Sequence, residues 1–171
     1  MIKYNRISTS LGNMLAASSG QGLCWLSLPG DKEESFVAWA GRHFTGCRAI
    51  KGVDPIIKET EKQVNEYLSG SRKEFSLQLD LRGTVFQRRV WQALLQVPYG
   101  TTVSYRDIAI AINKPRAVRA VGQANNKNPI IIVVPCHRVI GSDGSLVGYG
   151  GGLDVKRALL RLEGSRDERK E

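Results

Sequence analysis

The chain has 171 residues, 42% of them hydrophobic and 24% charged, enough for a buried core in one domain or two small ones; this composition excludes a disordered or collagen-like protein. No apolar run reaches the roughly 18 residues of a membrane span and the first residues lack a signal-peptide stretch, so we expect a cytoplasmic protein without a membrane partner. The net charge of +9 indicates a polyanionic partner, and residues 86–171 carry 14 Lys/Arg against 7 Asp/Glu.

The first half of the chain predicts an α/β domain. Glycine-punctuated apolar runs over 1–30 predict strands in an antiparallel hairpin, and a helix is expected over Glu33–His43. Asp54 followed by Pro55 is the pattern of an N-cap and a first helical residue. Alternating apolar residues over 75–81 predict a half-buried strand.

The second half predicts mainly helices, beyond a domain boundary at residues 82–84. Thr84 is a candidate N-cap for a helix that ends before Pro98. Two further helices, over Ser104–Ile112 and from Pro115 to about Asn126, are separated by a tight turn and form a helix-turn-helix pattern.

The last third of the chain predicts a buried strand, a loop and a helix. The β-branched run of residues 130–134 is typical of a strand buried on both faces, which Pro135 ends. A glycine-rich loop follows over 141–152, then a helix capped by Asp154. We expect the charged tail, 165–171, to be frayed.

Cys136 stands where the predicted strand opens into a loop, a suitable place for a nucleophile. A free thiol is only about 3% ionised at pH 7, so it needs a base or a positive charge, which His137 and Arg138 supply. Side chains of adjacent residues on an extended strand point to opposite faces, so contact between Cys136 and His137 requires either a turn there or a bridging water, and we expect the water. The alternative is an inert buried thiol beside a satisfied loop histidine.

Glu163 is the most suggestive acceptor for the second ring nitrogen of that histidine. A carboxylate at a helix C-terminus opposes the helix dipole, which implies another reason for its position. Cys24 is expected to be a core residue. His43 and Cys47 are four residues apart but too few for a zinc site, so we expect no metal.

The helix after Pro115 carries Arg116, Arg119 and Gln123 on one face, among small residues such as Gly122. Small side chains allow close approach to another body, which is either a narrow nucleic-acid groove or a neighbouring helix of the protein. The excess of positive charge over 88–138 would attract a phosphate backbone, although a solvated basic face has the same composition.

In order and at compact spacing, motifs over about half the chain resemble those of the O6-alkylguanine-DNA alkyltransferases, also called methylated-DNA-protein-cysteine methyltransferases. The first half is similar more loosely. The motifs are Gly83-Thr84-Val85-Phe86-Gln87, Pro98-Tyr99-Gly100, Val103-Ser104-Tyr105, Arg119-Ala120-Val121-Gly122, Asn128-Pro129, Val134-Pro135-Cys136-His137-Arg138-Val139-Ile140-Gly141, Gly148-Tyr149-Gly150-Gly151-Gly152 and Leu162-Glu163-Gly164.

The resemblance implies an α+β protein with a ribonuclease-H-like domain over 1–81 and a winged-helix-like helix-turn-helix domain over 84–164. It implies DNA repair: the alkyl group on guanine O6, with thymine O4 left open, moves irreversibly to Cys136, once per molecule and without a cofactor. The partner is then double-stranded DNA containing O6-alkylguanine, bound in its minor groove by a monomer, with cooperative binding left open.

The same resemblance assigns roles to residues of this sequence. His137 takes the thiol proton through a water, Glu163 orients His137, and Asn128 braces the turn. Arg119 enters the base stack, and Tyr105 assists base rotation and donates to guanine N3. The helix of Arg116, Gly122 and Gln123 lies on DNA, and the pocket is lined by Tyr105, Val139, Tyr149 and Gly150.

Two other classes of protein fit parts of the pattern. Alkyltransferase-like proteins bind alkylguanine without transferring the group, but they lack the cysteine that this chain has at Cys136. A transcription regulator would use the same helix-turn-helix, but with base-reading polar residues on the helix and a dimerisation segment.

Overall fold

A computed structural model describes residues 1–165, and the predicted tail 165–171 lies, apart from its first residue, outside the described residues. The chain forms two compact units: one comprises Met1–Gly83 with Pro129–Val133, the other Thr84–Asn128 and the chain from Val134 onward. The expected mixed α/β class is confirmed. Within residues 1–165, no helix has both the length and the apolar character needed to cross a bilayer.

The first unit contains a four-stranded sheet in the order β3-β2-β1-β4. The predicted antiparallel hairpin is β1 with β2, whereas β4, which the sequence did not indicate, pairs parallel to β1. Asp54 caps α2 as predicted, because its Oδ1 accepts from Ile57 N at 2.9 Å. The elements are β1 (Ile2–Thr9), β2 (Gly12–Ser18), β3 (Leu23–Leu26), α1 (Glu33–His43), β4 (Ala49–Lys51) and α2 (Pro55–Leu68).

The strand predicted over 75–81 is wrong: the segment is irregular apart from one bridge between Leu79 and Leu23. Leu23 N donates to Gln78 O at 2.8 Å, and Asp80 N donates to Leu23 O at 2.9 Å. Gly22 permits this close approach, since a Cβ there would stand 2.7 Å from Gln78 O.

The second unit holds four helices and a short two-stranded sheet among its described residues. Thr84 and Ser104 begin their helices with capping boxes, in which each side chain accepts from the backbone three residues on. The predicted helix-turn-helix is α4 and α5, but α5 begins at Val118, so the predicted start at Pro115 is wrong. The elements are α3 (Val85–Leu94), β5 (Val103–Ser104), α4 (Tyr105–Ala111), α5 (Val118–Asn126), β6 (Val139–Ile140) and α6 (Leu153–Leu162).

Residues 130–134 are buried, as predicted, except for half-buried Ile131, but they form no strand. Ile130 makes a single bridge to Leu26. The chain then turns: Val133 N donates to Ile131 O at 2.9 Å, and Ile132 has a φ of 72°. A β-branched residue is strained there, so burial of its side chain outweighs its backbone preference.

The predicted cap of the last helix is also wrong. Gly152, with a φ of 88°, is the N-cap of α6, and Asp154 lies in the first turn, where it pairs with Arg157 Nη1 at 3.3 Å. A carboxylate in the first turn still interacts favourably with the helix dipole.

Candidate active site

Cys136 begins a 3-10 turn, Cys136–Arg138, directly after Pro135. The thiol residue is 2% exposed, and His137 is fully buried. Residues 136–138 are therefore not extended, as the sequence analysis assumed for Cys136 and His137. The water that would bridge these two side chains stays a prediction.

Two asparagines hold this turn. Asn128 Nδ2 donates to Val134 O at 2.8 Å and lies 3.2 Å from Cys136 Sγ. Asn125 Nδ2 donates to Cys136 O at 3.4 Å. Asn128 therefore contacts both the backbone that leads into the turn and the sulfur itself, whereas Asn125 was not among the predicted site residues.

Burial raises the pKa of the Cys136 thiol to about 11. The Asn128 hydrogen bond, the Lys156 ammonium and the backbone N–H groups of Cys136 and His137 act in the opposite direction and favour the thiolate. With that pKa, only about one thiol in ten thousand is ionised at pH 7. Cys136 therefore needs a base at the moment of reaction.

The other two cysteines lie in different surroundings. Cys24 is buried, its Sγ lies 3.4 Å from Ala17 O, and burial together with Asp80 raises its pKa to about 12. Its thiol therefore stays protonated as a core residue. Cys47 is exposed, in the first unit.

A buried ion-pair network stands beside Cys136. Glu163 Oε1 lies 2.8 Å from His137 Nε2, although the two residues are 26 positions apart. Both carboxylate oxygens also accept from Arg138, at 2.9 to 3.2 Å, and Glu163 Oε2 accepts from Gly100 N at 3.2 Å. Arg138 in turn donates to Val97 O at 2.6 Å.

This network sets the state of the imidazole. A carboxylate accepts hydrogen bonds, so the proton of neutral His137 is assigned to Nε2 and the lone pair to Nδ1. Burial lowers the pKa of His137, and Arg138 and Lys156 act in the same direction, whereas Glu163 opposes it. His137 is therefore neutral at pH 7 and able to accept a proton.

Two of the predicted pocket residues, Tyr105 and Tyr149, interact electrostatically with Cys136. Tyr105 donates its hydroxyl to Val147 O at 3.0 Å, and 3.3 Å separates that hydroxyl from Gly148 O. The hydroxyl of Tyr149 is buried with no hydrogen-bond partner among the described residues. Burial and the proximity of Cys136 raise the pKa of both tyrosines, so both hydroxyls are protonated donors.

The other two predicted pocket residues are Val139 and Gly150. Val139, in β6, is buried and follows the turn directly. Gly150 is exposed, and a Cβ there would stand 4.0 Å from Asn126 O. Its substitution by a larger residue would therefore meet an ordinary contact.

The candidate nucleic-acid residues of α5 lie apart from this buried network. Arg119 and Gln123, together with Arg116 just before the helix, are exposed. Gly122 faces inward, since a Cβ there would stand 3.8 Å from the Tyr105 ring. Of the basic residues over 88–138, Arg138 is buried against Glu163. The other seven are exposed and are called the basic surface: Arg88, Arg89, Arg106, Lys114, Arg116, Arg119 and Lys127.

Sequence reasoning missed one charged residue of the site, Lys156. It lies on the buried face of α6, at helical spacing from Leu159, Leu160 and Glu163. A charged residue on an apolar helical stripe was the signal that could have found it. As for a metal, no cluster of three or more His, Cys, Asp or Glu suited to one occurs within residues 1–165.

Comparison with protein families gives two matches that together span most of the chain. Residues 2–81 match the ribonuclease-like domain of 6-O-methylguanine DNA methyltransferase, and residues 85–165 match its DNA-binding domain.

Individual relatives agree with these matches over nearly their whole length. The methylated-DNA–protein-cysteine methyltransferase of Methanosarcina barkeri is 45% identical, over 94% of this chain and 96% of its own. The enzyme of that name from Mycobacterium bovis is 47% identical, over 97% and 94%. A crystal structure of Mycobacterium tuberculosis OGT in complex with DNA has a TM-score of 0.80 and 42% identity, covering 96% of each chain.

Proposed function

The chain belongs to the 6-O-methylguanine DNA methyltransferase family, and from this premise we propose that Cys136 removes alkyl groups from guanine O6 in double-stranded DNA. The protein repairs DNA by methyl transfer to a cysteine, and DNA is its partner. The observation that supports Cys136 as that cysteine is its contact with Asn128, in the same turn as His137, whose ring is paired with buried Glu163 at the end of α6.

The proposed reaction is a displacement at the saturated alkyl carbon. His137 Nδ1 takes the thiol proton through a water, the sulfur forms a bond to the carbon, and the bond from carbon to O6 breaks. The electron pair of that bond stays on the guanine, which is finally protonated. The thioether product is stable, so each molecule reacts once, and the chemistry requires no metal or redox cofactor.

The target base must leave the duplex, because O6 inside a base stack cannot reach a buried sulfur. Cys136 is 2% exposed, so entry of the base requires the loop of Val147 and Gly148 to part from Tyr105. The Tyr105 hydroxyl would then exchange these carbonyls for guanine N3. There it would stabilise the negative charge of the leaving group.

The basic surface is the proposed docking face for DNA. All seven of its side chains are exposed, as binding to phosphates requires. We place the exposed face of α5 on the minor groove, where Arg119 would fill the gap left by the flipped base, with Arg116 and Gln123 beside it. We propose that the protein acts as a monomer in the cytoplasm, where reducing conditions keep the Cys136 thiol free.

The proposal is tested by incubating the protein with a short duplex that contains O6-methylguanine, followed by mass spectrometry of the intact protein and its peptides. We expect a gain of one methyl group, on the peptide that contains Cys136, and never more than one per molecule. A duplex with O4-methylthymine shows whether that base is a second substrate. Methylation at Cys47 would contradict the site assignment, and tight binding without transfer would favour a non-catalytic damage sensor.

Arg119→Ala separates base flipping from chemistry. We expect transfer from duplex DNA to slow by about 10- to 100-fold, because flipping costs a few kcal/mol that Arg119 helps to offset. Reaction with free O6-benzylguanine, which needs no flipping, should stay within about twofold. Arg88→Ala removes a charge from the same surface and serves as the control for weaker binding. Equal losses on both substrates in Arg119→Ala would exclude the flipping role.

A further inference from the structure

Lys156 is a fully buried lysine that the proposed reaction does not use. Its Nζ donates to the backbone carbonyls of Val139 and Val147, the latter at 2.9 Å. Val139 directly follows the active-site turn, and Val147 lies in the loop that carries Tyr149. One ammonium group therefore joins the end of the active-site turn to the loop that carries Tyr149, the two segments that contribute Val139 and Tyr149 to the proposed guanine pocket.

The carbonyl of Val147 also links Lys156 to α4, through Tyr105. Val147 O accepts hydrogen bonds from both Lys156 Nζ and the Tyr105 hydroxyl, the latter at 3.0 Å. The loop is thus held on one side by α6 and on the other by α4. When an entering base displaces the Tyr105 hydroxyl, Lys156 remains to keep the loop in register with the turn.

The position of Lys156 has an electrostatic consequence as well. Burying an ammonium is costly, and an apolar side chain of similar volume would fill this place without that cost. The charge acts on the sulfur and favours the thiolate form of Cys136. The titratable and charged groups around that sulfur are Lys156 on α6, Tyr105 on α4, Tyr149 in the loop, and His137 and Arg138 of the turn, with their partner Glu163.

We propose that Lys156 is a positioning residue for alkyl transfer, which holds the pocket loop against the active-site turn and sets a fixed positive charge near the Cys136 sulfur. This inference deepens the proposed function and rests on it. The negative charge begins on sulfur and moves to the guanine, and a nearby cation stabilises it along that path relative to the neutral thiol.

The test compares Lys156→Met, Lys156→Arg and, as matched control on the exposed side of α6, Arg157→Met. Each protein is treated with iodoacetate and with iodoacetamide, and alkylation rates are measured on the Cys136 peptide by mass spectrometry. The two reagents have nearly the same size but differ in charge. The ratio of their rates therefore reports the local potential at the sulfur and cancels changes in thiol ionisation and access.

In Lys156→Met we expect the ratio of iodoacetate to iodoacetamide rates to fall by about 10-fold, the effect of one charge close to a buried sulfur. Methyl transfer from the duplex should fall by about 100-fold, because the loop also loses its anchor. Lys156→Arg should keep the ratio and recover part of the transfer rate, and Arg157→Met should change neither.

An unchanged ratio in Lys156→Met would overturn the electrostatic role, and an unchanged transfer rate would overturn the positioning role. The reagent ratio is measured without DNA, so it tests the role of Lys156 independently of the proposed alkyl transfer. If the ratio falls as expected in Lys156→Met but the unmodified protein takes up no methyl group from the duplex, the proposed function is refuted and the electrostatic role of Lys156 stands.

Discussion

We expect Cys136→Ser to abolish methyl uptake from an O6-methylguanine duplex, while the variant still binds that duplex as the unmodified protein does. A serine hydroxyl is far less acidic than a thiol, and neither Asn128 nor His137 makes it a nucleophile toward a saturated carbon. Uptake is measured by intact mass and binding by fluorescence anisotropy with the same oligonucleotide.

Cys24→Ala and Cys47→Ser are the matched controls for this experiment, and both should take up one methyl group. Cys24 is buried with a pKa raised to about 12, and Cys47 lies outside the second unit, so neither supplies the sulfur. Residual uptake in Cys136→Ser would show that another residue is the acceptor.

We expect Glu163→Gln to slow methyl transfer by on the order of a hundredfold or more, the usual contribution of a positioned base. Arg138 donates to both carboxylate oxygens, and in the variant its guanidinium claims the single amide oxygen. The amide NH2 then faces His137 Nε2 and favours the tautomer whose lone pair is on the wrong nitrogen. Single-turnover rates on the duplex measure this effect.

The pH dependence of transfer gives a second measure of the same variant. Burial lowers the pKa of His137, so its neutral base form persists below pH 6.5, the ordinary pKa of histidine. Transfer is lost only as the pH falls through the lowered pKa. Glu163 acts to raise that pKa, so its removal moves the acidic limb of the profile to still lower pH. An unchanged profile would contradict the role of His137 as the base.

Glu163→Gln also destabilises the protein, because it leaves the Arg138 guanidinium buried without its counter-charge, at a cost of about 3–5 kcal/mol. The double variant Glu163→Gln with Arg138→Met removes both charges and should recover part of this stability in urea unfolding. Transfer should remain slow in the double variant, because His137 still lacks its carboxylate. Recovery of transfer together with stability would make the role of Glu163 purely structural.

The starts of α2, α3 and α4 were predictable because their causes are local, whereas α5 and α6 begin without a side-chain cap and their predicted starts were wrong. Asp54, Thr84 and Ser104 each bond to backbone three residues along the chain, and such patterns are legible in the sequence. The run of residues 130–134 misled because β-branched residues favour a strand, whereas the path here follows a bridge to Leu26 and a turn at Ile132.

The sequence by itself determined the candidate chemistry: a cysteine next to a histidine, a downstream acid at a helix end, and a basic segment with a helix-turn-helix. The position of Glu163 at a helix end also indicated it as the partner of His137, and the two groups lie 2.8 Å apart. Only the tertiary structure decided that Arg138 is buried against the same carboxylate, outside the basic surface, and that Lys156 donates to the carbonyls of Val139 and Val147. The reason is that caps and periodicity involve neighbours within four residues, whereas partners of buried charges are set by how distant segments pack.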